Sequence, residues 1–376
     1  MTTAIASDLH IGAASPGSVL TSHEIRRRLV EALAEADQVV LLGDVLELRQ
    51  APLGRVLEAA RPFFSELGEA LGGKRVILVP GNHDHHLIAW EREHGMSADG
   101  AEPEPARPSK GGPLATLAAV MGDADLRLGY PGIRLRDDVW ATHGHYLDAH
   151  NTVPALETLA VAMATRRVKA FRAEDALTPA DYERALTPLY GIAFRQAQRR
   201  NGGRAPTATN PSTALWRMLE GPGGRARFGR LLGGVAVPVV IGSLNAAGLG
   251  PFKMDFSGRA LRLGSIHGMS EVVRRLGIDA GHVVFGHTHR TGPLERDPGW
   301  NTPDGVNLYN SGNWVYERAF LGPSAAESPY WPGTIIVVDD SGAPVVRRLL
   351  EDVSHDELAA AAAGSYAGGG EPPSAE

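Results

Sequence analysis

The sequence predicts an α/β layered core interrupted by a mostly helical insertion. Three observations predict it. Short β-branched runs alternate with amphipathic stretches of helical length through the first 95 residues, which is the pattern of βα units. Five apolar runs, spread from residue 4 to residue 285, each end on side chains that bind metal ions. Strands that deliver polar groups at their C-terminal ends gather them on one sheet edge, where open α/β folds build their sites. Residues 152–265 break the pattern: they hold 16 Lys+Arg against 7 Asp+Glu, and the rest of the chain holds 21 against 36.

Ala4-Ile5-Ala6 reads as the first strand and runs into Asp8-Leu9-His10. Ser22 to Ala36 has apolar residues at helical spacing (Ile25, Leu29, Leu33). Strand 38–42 delivers Gly43-Asp44, Pro52 to Leu71 is a second helix, and strand 75–79 delivers Pro80-Gly81-Asn82-His83-Asp84. Residues 97–113 are rich in Pro, Gly and charge, cannot pack a core, and are expected as a mobile surface loop. Strands near 133–136 and 139–142 lead into His143-Gly144-His145, and Val283-Val284-Phe285 leads into Gly286-His287-Thr288-His289. Val306 to Tyr309, Thr334 to Asp339 and Val345 to Leu350 return to strand character. The expected organisation is a core in two parts, 1–151 and 266–352, an insertion or cap at 152–265, and a tail at 353–376 with a disordered end.

Within the insertion, 153–172, 180–200 and 213–220 have helical periodicity, with Arg166, Arg167, Lys169, Arg172, Arg195, Arg199 and Arg200 on their polar faces. Leu231 to Phe252 is 22 residues without a charge, bordered by Arg225, Arg227, Arg230 and Lys253. As one helix it would reach about 33 Å, enough to cross a bilayer. Gly233, Gly234, Pro238, Gly242, Gly248, Gly250 and Pro251 oppose a regular spanning helix, so cap core is the favoured reading and a membrane-dipping element the alternative.

The chain of 376 residues is long enough for one large core plus an inserted subdomain. It has no cysteine, which excludes disulfides, thiolate zinc sites and cysteine catalysis, and fits a cytoplasmic address. Met1 to Asp8 lacks a charged leader and a long apolar stretch, so a cleaved signal peptide is not expected.

Seven side chains are candidate metal ligands: Asp8, His10, Asp44, Asn82, His143, His287 and His289. Carboxylate, amide and imidazole donors without thiolate suit borderline divalent ions, with Mn²⁺ favoured and Fe²⁺ or Zn²⁺ as alternatives. Two ions about 3.5–4 Å apart need a bridging carboxylate. If Asp44 bridges, each ion receives four protein ligands. Water has a pKa near 15.7 and metal binding brings it to about 7, so a bridging hydroxide is available for in-line attack on phosphorus.

These motifs resemble the calcineurin-like metallophosphoesterase superfamily, whose signature is D-x-H, G-D, G-N-H-[DE], a later H and G-H-x-H. The match is complete and in order over Asp8-x-His10, Gly43-Asp44, Gly81-Asn82-His83-Asp84, His143 and Gly286-His287-Thr288-His289. The resemblance implies a four-layer αββα sandwich and metal-dependent phosphoester or pyrophosphate hydrolysis. It implies Asp8, His10, Asp44 and His289 on one ion, and Asp44, Asn82, His143 and His287 on the other. His83 would protonate the leaving oxygen or hold a phosphate oxygen, with Asp84 as its carboxylate partner. His145 and Arg290 are candidates for contacts to substrate phosphate.

Within that superfamily, Ser7-Asp8-Leu9-His10, Asp44-Val45-Leu46-Glu47, Gly286 to Arg290 and Tyr309 to Val315 resemble the branch of UDP-2,3-diacylglucosamine pyrophosphohydrolases. Enzymes of that branch carry a helical insertion that takes acyl chains. The favoured reading is thus a hydrolase of a lipid- or nucleotide-linked pyrophosphate. It would work peripherally at the inner face of the membrane, with the basic 152–265 segment attracted to anionic lipid. A soluble phosphodiesterase acting on cyclic nucleotides or nucleic acid is the alternative, although the insertion offers few aromatic residues for base stacking. A non-catalytic scaffold is the third reading, opposed by intact residues at all seven positions. The oligomeric state is not legible.

Overall fold

The computed structural model describes residues 1–13, 17–96, 100–150, 156–166, 168–172, 176–199, 258–297, 299–318 and 320–364. Two sheets stack face to face. The first has six strands in the order β12 (Val345–Arg348), β11 (Thr334–Val338), β1 (Thr3–Ala6), β3 (Gln38–Leu41), β4 (Arg75–Leu78) and β5 (Asp125–Leu128). The second has four, β6 (Gly132–Arg136), β7 (Val139–Thr142), β8 (His282–Phe285) and β9 (Asn307–Asn310). A two-stranded ribbon pairs β2 (Gly17–Ser18) with β10 (Val315–Tyr316).

Alternation along the strands divides the core into three. Ile5, Val40, Ile77 and Ile336 from the first sheet meet Ile133, Val139, Ala141, Val284 and Tyr309 from the second, which forms the inter-sheet layer. The neighbours of those residues point outward: Ala4, Ala6, Val39, Leu41, Val76 and Leu78 pack under helices. Successive strand residues face opposite sides, so strands buried on both faces read as continuous apolar runs.

Helices cover the outside of each sheet. α1 (His23–Ala34) starts at Ser22, whose side chain accepts from the Ile25 N–H, and buries Ile25, Leu29 and Leu33. α2 (Leu53–Leu71) buries Val56, Phe63, Phe64 and Leu67, and Gly72 ends it with φ of 52°. α3 (His86–Glu93) and α4 (Pro113–Val120) follow. On the second sheet the outward residues Trp140, Val283, Phe285 and Leu308 pack with Val161 of α5 (Leu156–Thr165), Tyr182, Leu186 and Tyr190 of α6 (Pro179–Gln198), and Met269, Val272 and Val273 of α7 (Gly258–Leu276). The result is a four-layer αββα sandwich. The inserted helices α5 and α6 help to build its fourth layer, and α7 runs straight across residue 265, where the sequence suggested a boundary. Thr178 and Asp181 form a capping box at the start of α6.

Two segments carry more structure than their composition suggests. The 97–113 stretch is fastened from residue 100 onward: Ala106 pairs antiparallel with Leu128 on β5, and the Ser109 N–H donates to Glu91 at 2.8 Å. A proline-rich segment laid along an edge strand satisfies that edge without inviting further pairing. The expected tail opens with α8 (His355–Ala363), fixed by a Ser354–Glu357 capping box and by burial of Leu358 and Ala361. The helix suggested at 213–220, the apolar run 231–252 and the last residues, 365–376, lie outside the described residues. Among the described residues no helix is long and apolar enough to cross a membrane.

Candidate metal centre

β1, β3 and β4 run parallel, as do β7, β8 and β9. The loops that follow β1, β3, β4, β7 and β8 therefore leave the same edge of the sandwich, and they bring the seven candidate ligands together. Donor atoms of Asp8, His10 and His289 lie within 4.8 Å of one another, as do those of Asp44, His143 and His287 and those of His10, Asp44 and His83. His10 Nε2 is 3.0 Å from His289 Nε2, and Asp8 Oδ1 is 3.3 Å from His289 Nε2. Asp44 Oδ2 stands between the groups, 3.9 Å from His10 Nε2 and 3.3 Å from His143 Nε2. Asn82 Oδ1 lies 3.3 Å from His143 Nε2.

The backbone is strained where these ligands sit. Among the described residues, the non-glycine positions with left-handed φ are Asp8 (53°), His10 (44°), Asp44 (50°), His287 (68°) and His289 (56°). Each costs on the order of 1–3 kcal/mol, and such strain gathers at functional sites. Glycines let the loops close: a Cβ on Gly81 would lie 2.6 Å from His143 Nε2, and one on Gly286 would lie 2.5 Å from Asp8 Oδ2. Ser311 Oγ, just after β9, is 2.7 Å from Ser7 Oγ, while Asn310 Nδ2 donates to Gly286 O at 2.8 Å and Asn313 Nδ2 to His289 O at 2.8 Å. The Tyr309–Val315 run thus supports the ligand loops from behind.

Each ring is held from behind so that its other nitrogen faces the centre. His143 Nδ1 donates to Leu42 O at 2.9 Å, which leaves Nε2 facing Asp44. His10 Nδ1 is 3.1 Å from Glu47 Oε2, which leaves its Nε2 facing His289. His287 Nε2 is 3.0 Å from Asp148 Oδ1, which turns Nδ1 inward. Carboxylates and carbonyls behind imidazole ligands fix tautomer and orientation in metal sites.

The donor set fits divalent cations on two observations. Asp8 Oδ1 is buried with no hydrogen-bond donor among the described residues. Asn82 Oδ1 lies 3.1 Å from His287 Nδ1, 3.2 Å from Asp44 Oδ2 and 3.3 Å from His143 Nε2; turned over, the amide would donate to the first two and accept from Arg49 Nη1 at 3.1 Å. A cation among these atoms would equally satisfy the inward-facing oxygen. Electrostatics agree. Burial alone would raise the carboxyl pKa of Asp8 and Asp44, yet surrounding histidines, His289 first for Asp8 and His143 first for Asp44, hold both below the usual range. Burial lowers His143, but Asp44 and Asp8 push it up to about 10. A field that draws a proton onto a buried imidazole also draws a metal ion.

The other expected roles divide. His83 reaches the cluster, with its backbone N–H donating to Asp44 Oδ1 at 2.8 Å. Its partner is Glu47, not Asp84: His83 Nδ1 is 2.7 Å from Glu47 Oε2. The Asp84 carboxylate instead accepts from the N–H groups of Gly81 (2.6 Å), Val45 (2.9 Å) and Leu46 (3.3 Å), tying two ligand loops together. Burial and then Asp44 push its carboxyl up to about 6. His145 is buried, 3.3 Å from Tyr130 OH, with Nδ1 unpartnered; burial, then His143, holds it well below the usual imidazole range. Arg290 donates to Asp297 at 2.7 Å and lies over the Tyr330 ring at 5.5 Å, so its charge is already matched.

Sequence reasoning gave no role to Glu47, Arg49 or Asp148. Only Glu47 left a signal, a carboxylate inside the apolar run Val45-Leu46-Glu47-Leu48. It is fully buried and orients two histidines, which hold its carboxyl far below the usual range against burial. Glu47→Gln should weaken Mn²⁺ binding by about 10–100-fold. Calorimetric titration checks this, and wild-type affinity in that variant would remove Glu47 from the site. Arg49 Nη1 is 3.2 Å from His83 Nε2, which brings a guanidinium to the cluster.

No curated protein matches the chain. The model of the calcineurin-like phosphoesterase family matches residues 1–179, a stretch that carries Asp8, His10, Asp44, Asn82 and His143.

Proposed function

We propose that the chain hydrolyses a P–O bond at a pair of divalent cations. Asp8, His10, Asp44 and His289 would hold one, and Asp44, Asn82, His143 and His287 the other. The observation that carries this reading is the convergence of strained, buried donors, with Asp44 Oδ2 between the two histidine groups. When bound, the cations would supply Lewis acidity toward phosphoryl oxygens and a nucleophile at neutral pH. The chain's own residues do the rest. Glu47 and Asp148 keep His10, His83 and His287 in the required tautomers. His83 and Arg49, side by side, face the place of a phosphoryl or leaving oxygen.

For the substrate we favour a lipid- or nucleotide-linked pyrophosphate. The motifs shared with diacylglucosamine pyrophosphohydrolases support it, and a cavity of about 230 Å³ opens at Leu48, the residue after Glu47. Leu48, Leu53, Leu87, Trp90 and Phe194 line that cavity, which would suit an apolar portion of the substrate.

The test uses the full chain, stripped with chelator and reloaded with Mn²⁺. It is offered UDP-diacylglucosamine, CDP-diacylglycerol, a cyclic nucleotide and a dinucleoside polyphosphate, with products identified by phosphorus NMR. Stripping should cost at least about a thousandfold in rate, and Mn²⁺ should restore it. Mn²⁺ at a hundredfold excess over Kd should also stabilise the fold by about 2.7 kcal/mol. Hydrolysis confined to the soluble substrates would replace the lipid reading by the phosphodiesterase one. Metal-loaded protein that cleaves none of them would end the phosphoesterase reading.

A further inference from the structure

α6 carries two side chains, seven residues apart, that the reading above leaves unused. Glu183 is a clamp. Its buried carboxylate accepts from Tyr130 OH, from Tyr146 OH at 2.7 Å, from Thr187 Oγ1 at 2.8 Å and from Arg92 Nη1 at 3.2 Å, and lies 2.9 Å from His85 Nε2. Apart from Thr187, on α6 itself, these partners come from α3 and the residue before it, from the loop after β5 and from the turn after β7, so α6 is locked onto the segments that follow the Asn82 and His143 motifs.

Tyr190, two turns along the same face, is different. Its ring packs against His85 at 5.2 Å and His145 at 5.8 Å, and His145 in turn packs against His143 at 5.6 Å. Its hydroxyl is buried and has no hydrogen-bond partner among the described residues. Buried hydroxyls are almost always paired, so an unpaired one beside a site marks a place that a ligand completes. Burial, then the carboxylates of Asp148 and Glu183, pushes the phenol well above its usual pKa, with Arg49 opposing and Asp44 adding to the rise. Tyr190 therefore stays protonated, among groups that border the metal centre.

We propose that the Tyr190 hydroxyl is a substrate contact: it donates a hydrogen bond to a phosphoryl oxygen of the phosphoester held at the metal centre, in company with the Arg49 guanidinium. The proposal rests on the phosphoesterase reading and deepens it, because it makes the inserted helix part of the substrate site. A neutral donor together with a guanidinium fork suits a phosphoryl group with more than one free oxygen to offer.

Tyr190→Phe removes only the hydroxyl. In Mn²⁺-loaded full chain we expect kcat/KM for a phosphodiester to fall by about 10–100-fold, and the Kd for inorganic phosphate to rise by at least about tenfold. Mn²⁺ content should stay at the wild-type value and the thermal midpoint should not fall, because the hydroxyl has no internal hydrogen bond to lose among the described residues. Fluorotyrosine at position 190 gives a second readout that keeps the hydroxyl: its fluorine resonance should move on addition of phosphate. Wild-type kinetics and phosphate affinity in Tyr190→Phe, or a resonance that stays fixed at saturating phosphate, overturns the proposal. Wild-type protein that binds Mn²⁺ but neither hydrolyses a phosphoester nor binds phosphate overturns the underlying reading instead, so the two failures are distinguishable.

Discussion

Asp44→Asn is expected to lower phosphoester turnover by at least about a thousandfold and to cut the bound cations from two per chain to one. Asp44 is the only candidate ligand whose carboxylate approaches both groups, with Oδ2 3.9 Å from His10 Nε2 and 3.3 Å from His143 Nε2. Asparagine is the informative replacement. The backbone at Asp44 has φ of 50°, a left-handed conformation that asparagine tolerates and alanine does not. A side-chain oxygen can still accept from the His83 N–H, now at 2.8 Å from Asp44 Oδ1. Removing the charge also relieves Asp8 and Asp84, whose carboxyls the Asp44 charge raises. The chelated variant should therefore stay folded by circular dichroism, and metal analysis with turnover would isolate the loss of the shared carboxylate. A variant that kept two cations, or most of its rate, would show that the two ions do not share Asp44.

Much of this was legible because the information is local. A ligand at the end of an apolar run is written within about six residues, and strand order then gathers the runs on one edge without further instruction. Ser22, Pro52 and Gly72 mark helix ends for reasons confined to their own backbone. What escaped depends on partners distant in sequence. Glu47 pairs with His10, 37 residues away, and Glu183 pairs with His85, 98 residues away. Asp84 follows His83 directly and seemed its natural partner. The tight turn from Gly81 aims that carboxylate at backbone N–H groups, leaving His83 to Glu47. Arg290 was offered to substrate on charge alone, and Asp297, seven residues on, takes it. The insertion looked foreign by composition, yet one face of its helices is as apolar as the sheet it covers. Net charge reports the solvent face of a helix and says little about the face that packs.

That packing face gives the second large effect, at Glu183. Glu183→Ala would leave Tyr130 OH, Tyr146 OH, His85 and Arg92 without their common acceptor inside the structure. Breaking a buried charged pair in this way costs about 3–5 kcal/mol, against a typical total of about 5–15. The sign with pH is fixed by the direction of the shift. Burial would raise the Glu183 carboxyl, but His85, Tyr130 and Tyr146 hold it well below its usual value. An acid depressed in the folded state contributes stability above its unfolded pKa, about 4.3, and loses it as pH falls toward the folded value. Glu183→Gln keeps an acceptor but not the charge, so its deficit against wild type should be large at pH 7 and shrink below about pH 4. Urea denaturation at both pH values measures this. A Glu183→Ala variant within about 1 kcal/mol of wild type at pH 7 would mean that α6 is held by its apolar face alone. In that case Tyr190 would owe its position to packing with His85 and His145 rather than to the clamp two turns before it.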